Sequence, residues 1–186
     1  PVTAHGVKLL SMGLLINESD PVAVRGPLAT RYVQQFLRNV AWGDVDFLIL
    51  DLPPGTGDIQ LTIVQTAELD GVVVVTTPQE VALIDARKAI GLFERVETPI
   101  LGIIENMSYF QCPSDGKIYH IFGEGGGERE AAKLGVPLLG KIPLDISTRS
   151  GGDEGRPVAL EDPGQNPVSA AFRQVAEQCA RVVLDR

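Results

Sequence analysis

The sequence predicts an α/β fold, a mostly parallel sheet with helices on both faces, and three observations carry that prediction. Apolar runs alternate along the chain with segments of helical period. One run, GVVVVTT (71–77), holds four consecutive valines, the pattern of a strand buried on both faces. Each run ends in a polar or Gly/Pro loop, at Asp51, Thr77, Asn106 and Pro143. In open parallel sheets, ligands bind beyond the carboxyl ends of the strands.

The elements follow in order. VKLLSMGLLI (7–16) reads as a strand. PLATRYVQQFLRNV (27–40) reads as a helix, with Pro27 at its start and Leu28, Tyr32, Phe36, Leu37 and Val40 along one side. DFLILDL (46–52) is a buried strand, and 58–69 a helix capped by Asp58 with Gly71 just past its end. The valine strand leads into a long helix over 78–96, and PILGIIEN (99–106) is the next strand. A polar and aromatic loop runs from Met107 to Phe122. A short helix over 125–135 ends at Gly135, and PLLGKIP (137–143) is the last strand. A Gly/Pro/Asp-rich loop covers 150–167, and an amphipathic helix over 166–184 closes the chain. No repeat or linker marks a second domain, so the 186 residues read as a single domain.

Composition narrows the function. Hydrophobic residues make up 44% and charged residues 22%, which suits a soluble globular chain. The net charge of −8 argues against a nucleic-acid partner, which needs a basic face. No apolar run approaches the ~20 residues of a membrane span, so no membrane partner is expected. No secretory leader is visible. Two cysteines, Cys112 and Cys179, fit free thiols in a reducing cytoplasm better than a disulfide.

Several stretches could carry chemistry. In DFLILDLPPGTGD (46–58) an apolar strand ends on Asp51 and breaks into a stiff loop. That pattern places a carboxylate for Mg²⁺, and the Gly55-Thr56-Gly57 backbone close to a terminal phosphate. Its usual partner is a phosphate loop, G-x-x-x-x-G-K followed by Ser or Thr. The nearest match, GVPLLGKI (135–142), puts Ile142 where the hydroxyl belongs and reads as a buried strand. GEGGGE (123–128) opens a helix and suits either an anion or a plain turn. CPSDGKIYH (112–120) has Asp115 where a C-x-x-C pair would have its second thiol, and His120 further on. Arg25 and Trp42 read as surface and packing residues. No Ser/His/Asp set or glutamate pair supports acyl transfer or glycoside hydrolysis.

Together, VRGPL (24–28), WGDVDFLILDLPPGTGD (42–58), TTPQEVALIDARKA (76–89), GIIENMSYFQCP (102–113), IFGEGGGE (121–128) and GKIPLD (140–145) resemble the Mrp (ApbC-like) family of iron–sulfur cluster carrier P-loop ATPases. The resemblance spans most of the chain. It implies a P-loop fold with a deviant Walker A motif and a homodimer that binds ATP and Mg²⁺. It also implies a labile four-iron, four-sulfur cluster shared between subunits and passed to apo iron–sulfur proteins. Asp51 matches the family's magnesium-associated aspartate and Gly55 its switch glycine, the two catalytic candidates. Asn106, Pro143 and Asp145 match its adenine-contacting positions, and Cys112 the first cysteine of its cluster motif. The family's phosphate loop would lie upstream of Pro1. The chain is therefore expected to be an N-terminally incomplete nucleotide-binding domain, impaired in nucleotide binding and prone to misassembly, with ATPase activity belonging to the longer parent. Asp115 in place of the second cysteine leaves a harder donor for a cluster. Two alternatives stand beside this reading: a non-catalytic binding module on a degenerate ATPase fold, and a partition-type positioning ATPase.

Overall fold

A computed structural model describes residues 1–15, 26–53 and 57–185. The chain forms two compact units, Pro1–Leu69 and Asp70–Arg186.

The first unit opens with a hairpin in which β1 (Val2–Ala4) pairs antiparallel with β2 (Val7–Leu9). The two-residue turn has φ 51° at His5 and φ 80° at Gly6, the mirror-image turn that matches strand twist. The strand predicted over 7–16 therefore ends early. With a partner of only three residues, the chain leaves the ladder after Leu9 and enters a 3-10 turn at Met12–Leu14. Helix α1 (Gly26–Arg38) forms as predicted and packs against α2 (Asp58–Thr66). The Tyr32 and Phe36 rings lie 6.4 Å apart on α1. Trp42 Nε1–H donates to the Phe36 carbonyl at 2.9 Å, covering one of the carbonyls a helix end leaves open. The residue preceding α2 is Gly57, so Asp58 is its first helical residue rather than its cap.

Residues 46–52 form no strand. They have no ladder partner among the described residues, and Phe47, Leu48 and Ile49 are exposed, Ile49 by 87%. The apolar run has strand propensity, but a strand exists only where a second strand takes its backbone hydrogen bonds.

The second unit holds the predicted sheet. Strands β3 (Val72–Thr76), β4 (Ile100–Glu105) and β7 (Leu138–Lys141) lie parallel in the order β3-β4-β7. Between them run α3 (Glu80–Arg95) and α4 (Gly126–Leu134), followed by α5 (Ile146–Asp153) and α6 (Pro167–Leu184). Alternate residues of the sheet face opposite layers. Val74 and Ile103 pack with Ala86 and Ile90 of α3 and Ala131 of α4. Ile104, Leu139 and Ile142 pack with Val175 of α6, joined by Val73, Phe172, Cys179 and Val182. Helices thus cover both faces, as the valine run predicted. Asn166 caps α6, accepting the N–H groups of Val168 at 2.8 Å and Ser169 at 3.3 Å. The region read as a loop over 107–122 contains a small hairpin, β5 (Phe110–Gln111) with β6 (Ile118–Tyr119).

Helices α3 and α4 are tied by ions as well as by apolar contact. Arg87 grips Glu130 with two hydrogen bonds, 2.8 Å from Nε and 2.7 Å from Nη2, and reaches Glu80 at 2.7 Å. Lys133 adds a third contact to Glu130 at 2.7 Å. The Glu130 side chain is only 6% exposed, and Arg87 followed by Lys133 holds its carboxyl down to about 2, against 4.5 ordinarily. A depressed carboxylate contributes stability above its unfolded value and loses it as pH falls. Stability is therefore expected to decline between about pH 4.5 and 2. Glu130→Gln should flatten that acid limb, with a cost on the order of 2 kcal/mol at neutral pH after allowing for solvent around Arg87. Urea melts at a series of pH values measure both; an unchanged acid limb would refute the assignment.

Candidate functional site at the carboxyl ends of the strands

Parallel pairing carries the ends of β4 and β7 to the same edge of the second unit. Beyond the sheet the two chains stay zipped. The Ile142 N–H donates to Glu105 O at 2.9 Å, Ser108 N–H to Ile142 O at 3.0 Å, and Leu144 N–H to Tyr109 O at 2.7 Å. Three candidate residues meet on this edge. The Asn106 N–H donates to Thr76 O at 2.7 Å, joining the end of β4 to the end of β3. Its side-chain Oδ1 accepts from Met107 N–H at 2.9 Å, which leaves Nδ2 without a partner among the described residues. Pro143 follows the last residues of β7, and Asp145 caps α5, accepting Thr148 N–H at 2.8 Å and the Ser147 hydroxyl. Partial burial opposes the charge on Asp145, yet the Ser147 and Thr148 hydrogen bonds outweigh it and hold the carboxyl below its usual range. An amide with an open donor beside a capped, rigid turn suits hydrogen bonding to a planar heterocycle.

The same edge leads into the hairpin that bears Cys112. The Cys112 N–H donates to Lys117 O at 2.9 Å and its carbonyl accepts from Gly116 N–H at 2.8 Å, closing a tight turn over Pro113–Gly116. The Cys112 Sγ lies 3.0 Å from Ser114 Oγ. The Ser114 hydroxyl, then its backbone N–H, stabilise the thiolate and lower the Cys112 thiol below its ordinary value, while the Asp115 carboxyl opposes them. Asp115 sits in the same turn, its Oδ1 accepting Lys117 N–H at 3.1 Å, and this bond holds its carboxyl down. The turn thus offers a soft thiolate and a hard carboxylate side by side, a donor pair that fits iron. His120 does not complete the set. Its Nδ1 lies 3.4 Å from Ser108 O and its Nε2 3.7 Å from Glu124. Among the described residues, no third His, Cys, Asp or Glu joins Cys112 and Asp115. Cys179 lies partly buried against the α6 core, where burial pushes its thiol up and makes it a poor ligand.

The other candidates belong to the first unit. Asp51 is an exposed carboxylate near the end of the apolar run, a donor of the kind Mg²⁺ takes. Gly55 and Arg25 lie outside the described residues. Gln60, buried in α2, donates from Nε2 to Pro53 O at 2.8 Å. The lysine of GVPLLGKI is no phosphate ligand here: it ends β7, and Lys141 Nζ pairs with Glu128 at 2.9 Å.

Three residues of the strand-end edge escape the sequence reading. Glu105 is fully buried at the end of β4. Its Oε1 accepts from Ser108 Oγ–H at 2.5 Å and its Oε2 from Gly127 N–H at 2.7 Å. The acceptor that takes the Gly127 N–H at the glycine-rich start of α4 is thus the protein's own side chain. The glycines are there for contact: a Cβ on Gly126 would lie 2.3 Å from Pro78 O, and one on Gly127 3.1 Å from Glu105 Cβ. The readable signal was the acid ending an otherwise apolar strand in GIIEN.

A parallel sheet layered by helices on both faces, with polar residues gathered beyond its strand ends, defines an open, layered α/β protein, and comparison with known proteins puts it in the P-loop NTPase class. Solved structures agree. A nucleotide-binding protein from Archaeoglobus fulgidus in complex with ADP superposes with a TM-score of 0.63 at 43% identity, covering 69% of this chain and 53% of that one. The septum site-determining protein MinD of Pyrococcus horikoshii, complexed with Mg-ADP, gives 0.59 at 26% identity, over 80% of this chain and 56% of that one. The chain belongs to the ParA-type family described as NUBPL iron-transfer P-loop NTPase, which matches residues 1–180. An iron-sulfur cluster carrier protein of Pyrococcus furiosus is 48% identical over 92% of this chain and 58% of the relative. A mitochondrial iron-sulfur protein required for NADH dehydrogenase, from Arabidopsis thaliana, is 46% identical over 97% of this chain and 58% of the relative. The chain therefore spans a little over half the length of these relatives. Among the described residues, no helix is long and apolar enough to cross a membrane.

Proposed function

We propose that this chain is the cluster-bearing part of an ATP-dependent iron–sulfur cluster carrier that works as a homodimer in the cytoplasm. The observation that carries this reading is the Cys112 turn, a thiolate favoured by Ser114 and flanked by Asp115, rooted on the edge where Asn106, Pro143 and Asp145 gather. The cluster is cargo. Cys112 is its soft ligand, Asp115 a weak second donor, and a second copy of the chain supplies the remaining ligands. Apo iron–sulfur proteins receive it. Asn106, Pro143 and Asp145 contact the base of ATP, Asp51 assists Mg²⁺, and Gly55 senses the terminal phosphate. When bound, Mg-ATP supplies a phosphoanhydride whose hydrolysis can drive a change of state.

The test is anaerobic reconstitution with ferrous iron and sulfide, followed by transfer to an apo-ferredoxin. Expected are bound iron and sulfide in near-equal amounts, removable by the acceptor. Absence of both would overturn the carrier reading. Residues 1–186 contain no G-x-x-x-x-G-K followed by Ser or Thr. Calorimetry with Mg-ATP on this chain is expected to show binding weaker than roughly 0.1 mM, since phosphate contacts supply much of the affinity. Micromolar binding would refute that expectation and point to a phosphate site outside the motif.

A further inference from the structure

Four segments converge on one side chain in the second unit. Ser108 is buried, and every polar group it has is used. Its N–H donates to Ile142 O at 3.0 Å, beside Pro143 at the end of β7. Its hydroxyl donates to Glu105 Oε1 at 2.5 Å, and the other oxygen of that carboxyl takes Gly127 N–H at 2.7 Å, at the start of α4. Its carbonyl lies 3.4 Å from Nδ1 of His120, just past β6. Two residues further on, Phe110 pairs with Tyr119 and bridges Leu144, and the hairpin runs out to Cys112. The root of the cysteine hairpin is thus pinned at once to β4, β7 and α4, while its tip, with Ser114 and Asp115, carries exposed polar groups only.

We propose that Glu105 and Ser108 are positioning residues that fix the direction in which the Cys112–Asp115 turn leaves the sheet. This rests on the carrier reading for its purpose, though not for its geometry. A fully buried carboxyl with two short hydrogen bonds has one arrangement that satisfies it, because any other leaves it unpartnered in an apolar setting. Ser108 therefore cannot swing without stranding Glu105, and the hairpin cannot swing without moving Ser108. A cluster held by few protein donors needs those donors held in place, since a loose turn loses cargo to any competing chelator.

The experiment compares the full chain with Ser108→Ala and Glu105→Gln. Gln keeps the shape but cannot accept both bonds. Ile100→Val serves as a destabilised control outside the link. Amide hydrogen exchange is read at Cys112, Gly116 and Leu144 relative to the β3 and β4 core, on metal-free protein. The loss of reconstituted cluster to an iron chelator is read in parallel. Both variants are expected to speed hairpin exchange and cluster loss by roughly tenfold, the factor one buried hydrogen bond is worth, while the core ratio holds. The control should speed all amides together. Hairpin exchange unchanged relative to the core would overturn the proposal. Faster exchange with cluster loss unchanged would overturn it as well, because the link would then be structural only. If no variant, parent included, takes up a cluster, the carrier reading fails. The exchange data would then still decide whether Glu105 and Ser108 fix the turn.

Discussion

Cys112→Ala is expected to abolish cluster uptake by the reconstituted chain, while Cys179→Ala leaves it unchanged. Cys112 lies in an exposed turn whose hydroxyl and N–H groups favour the thiolate, the form that binds iron. Cys179 packs on α6 against Val175 and Phe172, where burial favours the thiol. The same logic gives the direction for the neighbouring position. Asp115→Cys places a second soft donor in a turn already closed by Gly116 and Lys117, so bound iron should rise and chelator release should slow. Asp115→Ala should give the opposite result. Iron and sulfide assays with visible absorption spectra read all four variants. Cluster retained at parental level in Cys112→Ala would remove the site.

Ile103→Ala is expected to cost about 3–4 kcal/mol and to lower Tm by roughly 10 °C or more. Ile103 is 0% exposed on the central strand, packed by Val74, Ala86, Ile90 and Ala131, so truncation leaves a cavity that three elements would have to close. Val81→Ala on α3, at 67% exposure, should stay within about 0.5 kcal/mol. Far-UV circular dichroism in urea is the suitable probe, because the only tryptophan, Trp42, belongs to the first unit. A cost under about 1 kcal/mol for Ile103→Ala would show that this face is not the core.

Most of the second unit was legible in the sequence. The exception is the stretch read as a loop over 150–167, into which α5 (Ile146–Asp153) runs and where Val158–Leu160 form a 3-10 turn, because Gly151 and Gly152 mask a helix that the Asp145 cap starts. The unit's strands are runs of Val and Ile buried from both sides, and its helices have clear period, with a start signal at Asn166-Pro167 and a stop at Gly135. Such signals are local. What was not legible depends on partners distant in sequence. The 46–52 run has the composition of a buried strand, yet no strand pairs with it among the described residues, and composition cannot supply one. The hairpin at Phe110–Tyr119 has only two pairs of residues and no apolar alternation to announce it. The candidate site divides in the same way. Asn106, Pro143, Asp145 and Cys112 were put forward through the family resemblance, and all four lie in the second unit. Glu105, Ser108 and Gly127 were missed because their role is one mutual contact across 22 residues, which no spacing rule describes. The assignments at Asp51 and Gly55 rest on the sequence.

The order β3-β4-β7 has a consequence for how the protein is made. Parallel neighbours cannot pair by a tight turn, so each strand must wait for the helix that returns the chain to the same end of the sheet. Strand β4 can settle on β3 once α3 has emerged, but its other edge stays bare until α4 and β7 follow. At roughly 5–20 residues per second, that bare edge persists on the ribosome for several seconds. The Glu105 carboxyl is synthesised into that gap before Gly127 exists to meet it, so the point that roots the cysteine hairpin cannot close until α4 has been made. Synonymous changes that slow translation between codons 106 and 137 should therefore lower the soluble yield more than equal delays in α6.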